Sequence, residues 1–200
     1  MRIENSLSGS REVPRTATMS FPPKATIRCF GTPSFRSRDA RDLGCLLDVD
    51  DAVERWECLP IELRVGDLTL MPDFLVTFTS GRQCLMDASD HGNEGVEEAA
   101  SAAGLAYEFV TREQRERGWR LRNARDLLRY GNYRCPLGDR IRVMTALDEV
   151  GSFSIADGLA LFREIAPMAG LASLALQRIV SLELDDALIG PDTCVRRTVR

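Results

Sequence analysis

The run Pro72–Asp73–Phe74–Leu75–Val76, followed after a turn by Leu85–Met86–Asp87–Ala88–Ser89, decides how this chain folds. Residues 74–78 are aromatic, β-branched or apolar, Ser80–Gly81 is turn chemistry, and 83–87 resumes the strand character. An acidic residue opening one strand and another near the end of its antiparallel neighbour can meet at one edge of a sheet. Two such carboxylates, Asp73 and Asp87, are hard oxygen ligands suited to Mg²⁺ or Mn²⁺, which can activate water against a phosphodiester. The structural alternative is plain, because strands often begin after Pro-Asp turns. The offset between the two aspartates is read as requiring a bulge or a five-residue connection around Thr79–Arg82; an even closure would send them to opposite faces.

Outward from this hairpin the pattern is that of an α/β core. Ala40, Leu43, Leu46 and Leu47 recur at helical spacing with Ser37 as N-cap, predicting a helix over 37–47. Residues 56–65 alternate around Pro60 as one strand, and Gly66–Asp67 turns the chain into Leu68 and Leu70. Downstream of the hairpin, 94–103 is an alanine-rich helix stopped by Gly104, 105–110 a strand, and Thr111 the cap of a short charged helix. After Gly118 an amphipathic helix runs over 119–130 with Leu121, Ala124, Leu127 and Leu128 inward.

Near residue 135 the pattern changes. Helices over 139–150 and 155–165 flank a short extended link, Pro167 and Gly170 mark a turn, and a third helix covers 171–180. Leu182 to Arg197 then reads as a β-hairpin about Gly190–Pro191. Three helices and a hairpin outline a small winged-helix-like domain. The expected organisation is a flexible segment over 1–33, an α/β domain over 34–135 and the winged-helix-like domain over 136–200.

Composition restricts the function classes. The 200 residues are 44% hydrophobic and 28% charged, an ordinary globular balance, and no uncharged apolar run approaches membrane-spanning length. Residues 1–24 lack a signal-peptide core, and the six cysteines are scattered without a C-x-x-C pair, so reduced thiols and a cytoplasmic location are expected. The net charge of −4 opposes coating of nucleic acid by the whole surface. Ten arginines nevertheless fall between Arg112 and Arg142, and Lys24 is the single lysine. Of these arginines, Arg120, Arg122 and Arg125, together with Arg82 beside the hairpin, are the candidate DNA contacts; a solvated helix face is the alternative. His91 reads as a surface-loop residue, Trp56 and Trp119 as packing residues.

From Ser37 to about Tyr130 the chain resembles the N-terminal domain of TnsA-like transposase endonuclease subunits, which have the PD-(D/E)xK restriction-endonuclease-like fold. The resemblance lies in Leu43–Gly44–Cys45–Leu46–Leu47–Asp48, Val53–Glu54–Arg55–Trp56, Pro72–Asp73–Phe74–Leu75–Val76 and Gly81–Arg82. It continues through Gly104–Leu105–Ala106–Tyr107, Val110–Thr111 and Asn123–Ala124–Arg125–Asp126–Leu127–Leu128. It implies a mixed sheet flanked by helices, followed by a winged-helix-like domain. It also implies DNA as substrate, Mg²⁺ or Mn²⁺ as cofactor if the chain is active, and a transposase and an AAA-type ATPase regulator as partners.

Carried over position by position, the family's catalytic set is incomplete. Its metal-binding aspartate falls on Asp73 and its second acid on Asp87. Its lysine falls on Ser89, and the glutamate of its first helix falls on Ala40. Three readings follow: an impaired metal-dependent endonuclease, in which Asp39 or Asp42 rebuilds the site; a non-catalytic DNA-binding or adaptor protein retaining the fold; and a winged-helix transcriptional regulator. In the last, Gln177 and Arg178 are the strongest base-contacting candidates, although Asp185–Asp186 would repel phosphate and a protein-facing winged helix is favoured.

Overall fold

Ser37 ends an irregular segment and starts the first helix as the spacing predicts. Its Oγ accepts from Ala40 N–H at 3.0 Å, and α1 (Arg38–Val49) carries Asp39 in its first turn, where the helix dipole favours negative charge. The computed structural model describes residues 25–65 and 68–198, so Lys24, the Gly66–Asp67 turn and most of the expected flexible segment lie outside the described residues. Residues 25–29 are packed rather than loose, while 30–33 are exposed. Ile27 N–H and Arg28 N–H bond the Asp48 carboxylate at 3.1 and 2.9 Å, and Cys29 bridges to Trp56.

Four strands, β1 (Val53–Cys58), β4 (Phe74–Phe78), β5 (Gln83–Asp87) and β6 (Ala106–Phe109), form a sheet in the order β1-β4-β5-β6. The first three are antiparallel. The last is parallel to β5, reached through α2 (Glu94–Ala102), because a parallel return needs a crossover. Between β1 and β4 the chain makes a separate two-stranded hairpin, β2 (Leu63–Val65) with β3 (Leu68–Leu70). The single strand expected over 56–65 is therefore two: β1 stops at Cys58, Leu59 takes a left-handed φ of +48°, and Pro60 has no N–H to continue a ladder. The α3 helix (Arg112–Glu116) starts with a complete capping box between Thr111 and Gln114, and α4 (Arg120–Leu128) packs on α1.

The C-terminal unit consists of α5 (Leu137–Val150), β7 (Ser152–Ser154), α6 (Ile155–Gly158) with a 3-10 turn at Leu159–Leu161, α7 (Pro167–Leu176), β8 (Val180–Leu182) and β9 (Cys194–Arg197). Its three strands are antiparallel in the order β7-β9-β8. Two expectations are corrected. The second helix does not reach residue 165, since Phe162 turns to extended backbone after the 3-10 turn. Pro167 opens the third helix instead of preceding it, because proline suits a first helical position where its missing N–H has no partner to lose. That helix ends at Leu176: Arg178, at φ +57°, donates its N–H to Ala175 O, and Ile179 N–H reaches Leu174 O, both at 2.9 Å.

The two halves share a core. Cys45, Leu46 and Val49 of α1 and Leu121, Ala124, Leu127 and Leu128 of α4 pack with Ala172, Leu176, Leu182, Leu184 and Ile189. Asn123, 1% exposed, holds this junction with all its polar capacity directed at 184–189: its amide donates to Leu184 O at 2.8 Å and Ala187 O at 2.7 Å, and its oxygen accepts from Ile189 N–H at 2.9 Å. Asn123→Ala leaves one buried and two partly buried hydrogen bonds to the backbone unmade and is expected to cost about 3 kcal/mol in urea unfolding. A loss below about 1 kcal/mol would show that water replaces the amide. Among the described residues no helix is long and apolar enough to cross a membrane.

Candidate functional site

Strand pairing brings Asp73 and Asp87 together, but not by the route expected. Phe74 pairs with Met86 and Thr77 with Gln83 in an unbroken register, so Asp73, one residue before β4, stands directly across from Asp87. Directly opposed residues point to the same face. The hairpin needs neither a bulge nor a five-residue connection: Phe78 N–H bonds Arg82 O at 2.9 Å and Gly81, at φ +84°, supplies the left-handed residue of a tight loop.

Every carboxylate oxygen of the pair has a donor. Asp73 N–H bonds Asp87 Oδ1 at 2.7 Å, and Ala88 N–H bonds Asp73 Oδ2 at 3.0 Å, so each acid stitches the other's strand. Tyr107 of β6 donates its hydroxyl to Asp87 Oδ2 at 3.0 Å. Arg36, just before α1, closes the arrangement: its Nε donates to Asp73 Oδ1 at 2.8 Å and its Nη2 lies 3.3 Å from Asp87 Oδ1. Burial pushes the Asp73 carboxyl above its ordinary value, while the Ala88 N–H and the Arg36 guanidinium pull it back. Burial and the adjacent Asp87 together raise the Tyr107 hydroxyl, keeping it a hydrogen-bond donor.

A hard divalent ion takes about six oxygen ligands and needs free carboxylate lone pairs. Here two acids converge, and their oxygens are held by Arg36, Tyr107 and two backbone N–H groups. Among the described residues no group of three or more His, Cys, Asp or Glu side chains is placed to hold a metal. As arranged, the two carboxylates are bridged by a guanidinium.

The remaining expected catalytic positions lie elsewhere. Ala40 is 1% exposed and packs in the core beneath the sheet with Trp56 and Phe74, a place where a glutamate would be buried among apolar groups. Ser89 closes a local turn, its Oγ donating to His91 O at 2.8 Å. Neither neighbouring acid rebuilds the site. Asp39 pairs with Arg115 at 3.3 Å, and Asp42 pairs with Arg41 and, at 2.5 Å, with Arg125.

Three of the four arginines expected to contact DNA are committed to intramolecular pairs. Arg82 bonds Glu108 at 2.9 Å and stacks over Phe78 at the opposite end of β5 from Asp87. Arg120 grips Asp185 with two bonds of 2.7 Å, tying α4 to the C-terminal hairpin, and Arg125 meets Asp42. Of the four, only Arg122 is exposed and in none of the ion pairs among the described residues; it lines a groove with Arg38 and Arg112 but also with Asp39, Asp42 and Glu116. The candidate reading helix α7 is buried along Ala169–Ser173 and at Leu174 and Leu176. Arg178 anchors to Asp50 O and Val53 O, and Gln177 bonds Ser173 Oγ at 2.8 Å, so neither is presented as a base contact.

Arg36 and Tyr107 escaped the sequence reading. Tyr107 lies in a strand that was recognised, and parallel pairing with Leu85 brings it to the site. Arg36 lies in an irregular stretch where no periodicity reveals a direction. No family model matches the chain, and no curated protein matches it.

Proposed function

We propose that this chain is a non-catalytic adaptor that keeps a TnsA-like, restriction-endonuclease-like fold. The supporting observation is the Arg36 guanidinium bonded to both Asp73 and Asp87. In an endonuclease of this type a metal ion would neutralise the paired acids and activate water. In this chain a side chain of its own supplies the neutralising charge. A guanidinium cannot generate hydroxide, and arginine does not deprotonate to act as a base.

The element order and the mixed β1-β4-β5-β6 sheet agree with the restriction-endonuclease-like reading of the first half. Three helices with a β7-β9-β8 sheet agree with a winged helix in the second, with its α7 face turned inward against α4. Such a module engages partners through its outer surfaces. The reading therefore places the chain in the cytoplasm as a scaffold between DNA and partner transposition proteins, a transposase and an AAA-type ATPase. DNA contact would fall on the groove around Arg38, Arg112 and Arg122.

Supercoiled-plasmid nicking in Mg²⁺ and in Mn²⁺ tests the proposal, comparing wild type with Asp73→Ala. The expected result is equal, background nicking by both proteins, with plasmid retardation retained by both and weakened by Arg122→Ala. Nicking by wild type that disappears in Asp73→Ala would overturn the adaptor reading and restore an endonuclease in which metal displaces Arg36.

A further inference from the structure

Residues 28–30 lie parallel to β1: Trp56 N–H donates to Arg28 O at 3.0 Å and Phe30 N–H to Trp56 O at 2.8 Å, setting Cys29 opposite Trp56. Side chains alternate along a strand, so Cys58, two residues beyond Trp56, shares its face, and Cys29 stands on that face across the bridge. All three pack against the same core. There the Cys29 and Cys58 thiols are neighbours that influence one another; Cys29 Sγ lies 3.8 Å from Phe30 O, and Ser34 N–H donates to Cys58 Sγ at 3.2 Å. Both thiols are half-buried, whereas Cys45 and Cys84 are buried.

We propose that Cys29 and Cys58 are a peroxide-oxidisable dithiol whose disulfide staples residues 25–36 to the end of β1. The two sulfurs have unequal roles. The neighbouring Cys29 thiol and the Ser34 N–H, which donates to Cys58 Sγ, hold the Cys58 thiol below the ordinary cysteine value against burial. Cys29, half-buried beside Cys58, is held well above it. The Cys58 thiolate is thus the nucleophile and Cys29 the resolving thiol. The Cys58 sulfur attacks one peroxide oxygen, the O–O bond breaks, and Cys58 sulfenic acid and one water leave the first step. The Cys29 sulfur then attacks the sulfenic sulfur; hydroxide departs and takes the Cys29 proton as a second water. Two thiols lose two electrons, and one hydrogen peroxide is reduced to two waters.

The position gives the modification a consequence, which rests on the reading of Arg36 as the clamp of the carboxylate pair. Ser34, bonded to Cys58, is two residues before Arg36, and Leu59, immediately after Cys58, donates its N–H to Asp73 O at 2.9 Å. A disulfide here joins the segment bearing Arg36 to the strand end beside Asp73. Oxidation holds the clamp closed, and reduction leaves Arg36 free to exchange with solvent or another cation.

The test is titration of the reduced full chain with hydrogen peroxide, differential alkylation before and after reduction, and peptide mass analysis. Cys29 and Cys58 should be lost together, in equal amounts and before Cys135 or Cys194, in a monomer whose Tm rises by roughly 5–10 °C. Cys29→Ser should stop at a Cys58 sulfenic acid that dimedone traps, and Cys58→Ser should leave Cys29 reduced. Earlier oxidation of Cys135 or Cys194, or disulfides between chains, would overturn the dithiol. Amide exchange over 30–36 should slow about tenfold in the oxidised protein. A disulfide without that slowing would overturn the stapling, and neither result depends on whether the protein nicks DNA.

Discussion

Asp139→Ala is expected to lower the unfolding free energy by about 4 kcal/mol, among the largest effects of any single polar side chain. The carboxylate is fully buried at the start of α5. It accepts from Arg163 N–H at 2.8 Å, Glu164 N–H at 3.0 Å and Ile165 N–H at 3.1 Å, and it pairs with Arg142. Alanine strands all these donors at once, including the three N–H groups that order the approach to α7. Burial opposes the charge, but the backbone donors and Arg142 outweigh it and hold the carboxyl below the ordinary carboxylate range.

That direction sets the pH dependence. A depressed folded pKa contributes stability that is complete above the unfolded carboxylate value of about 3.9 and is lost as pH falls through the folded value. In urea titrations the deficit of Asp139→Asn should be constant from pH 7 to about 5 and shrink below about 4. A deficit that does not change down to pH 2 would show that the interactions of the ionised form are not what the asparagine removes.

Trp56→Ala should be comparably severe, about 4 kcal/mol, because the indole fills the centre of the N-terminal core. It is fully buried, and its ring meets Phe74 edge-on at 5.3 Å. Trp56→Phe separates packing from polarity. The indole N–H donates to Asp48 Oδ1 at 2.9 Å, beside the Ile27 and Arg28 N–H groups that bring residues 25–36 onto α1. Burial pushes the Asp48 carboxyl up, and these donors restrain the rise. Removing one of them should raise the carboxyl further and cost about 2 kcal/mol at pH 7. Here the sign is opposite to that at Asp139. The folded pKa already lies above the unfolded one, so protonation as pH falls relieves the folded state, and relieves the variant more. The Trp56→Phe deficit should therefore be smaller near pH 5 than at pH 7; an increase toward low pH would contradict this account.

Much of the architecture was legible. Ser37 and Thr111 each cap the helix that follows, and Gly104 closes α2 at φ +75°. Such signals are local, involving side chains within four residues of the backbone they satisfy, so spacing reveals them. Pro167 was misread as a break because the same residue serves equally at a first helical position, and only the packing behind it distinguishes the two. The Asp73–Asp87 meeting was anticipated, yet the bulge thought necessary for it was not, since directly paired residues share a face without one.

The chain's own order of apolar and turn residues determined that two aspartates would meet at the edge of a mixed sheet and that a smaller helical unit with a hairpin would follow. What those aspartates face was decided by tertiary structure alone. Arg36, 37 residues before Asp73, supplies the charge between them; Arg115 and Arg125 take Asp39 and Asp42 of α1; Asp185 takes Arg120. The physical reason is that periodicity reports which side of an element a residue occupies, set by backbone geometry. A charge chooses its partner through space, from whichever segment the folded core brings within about 3 Å.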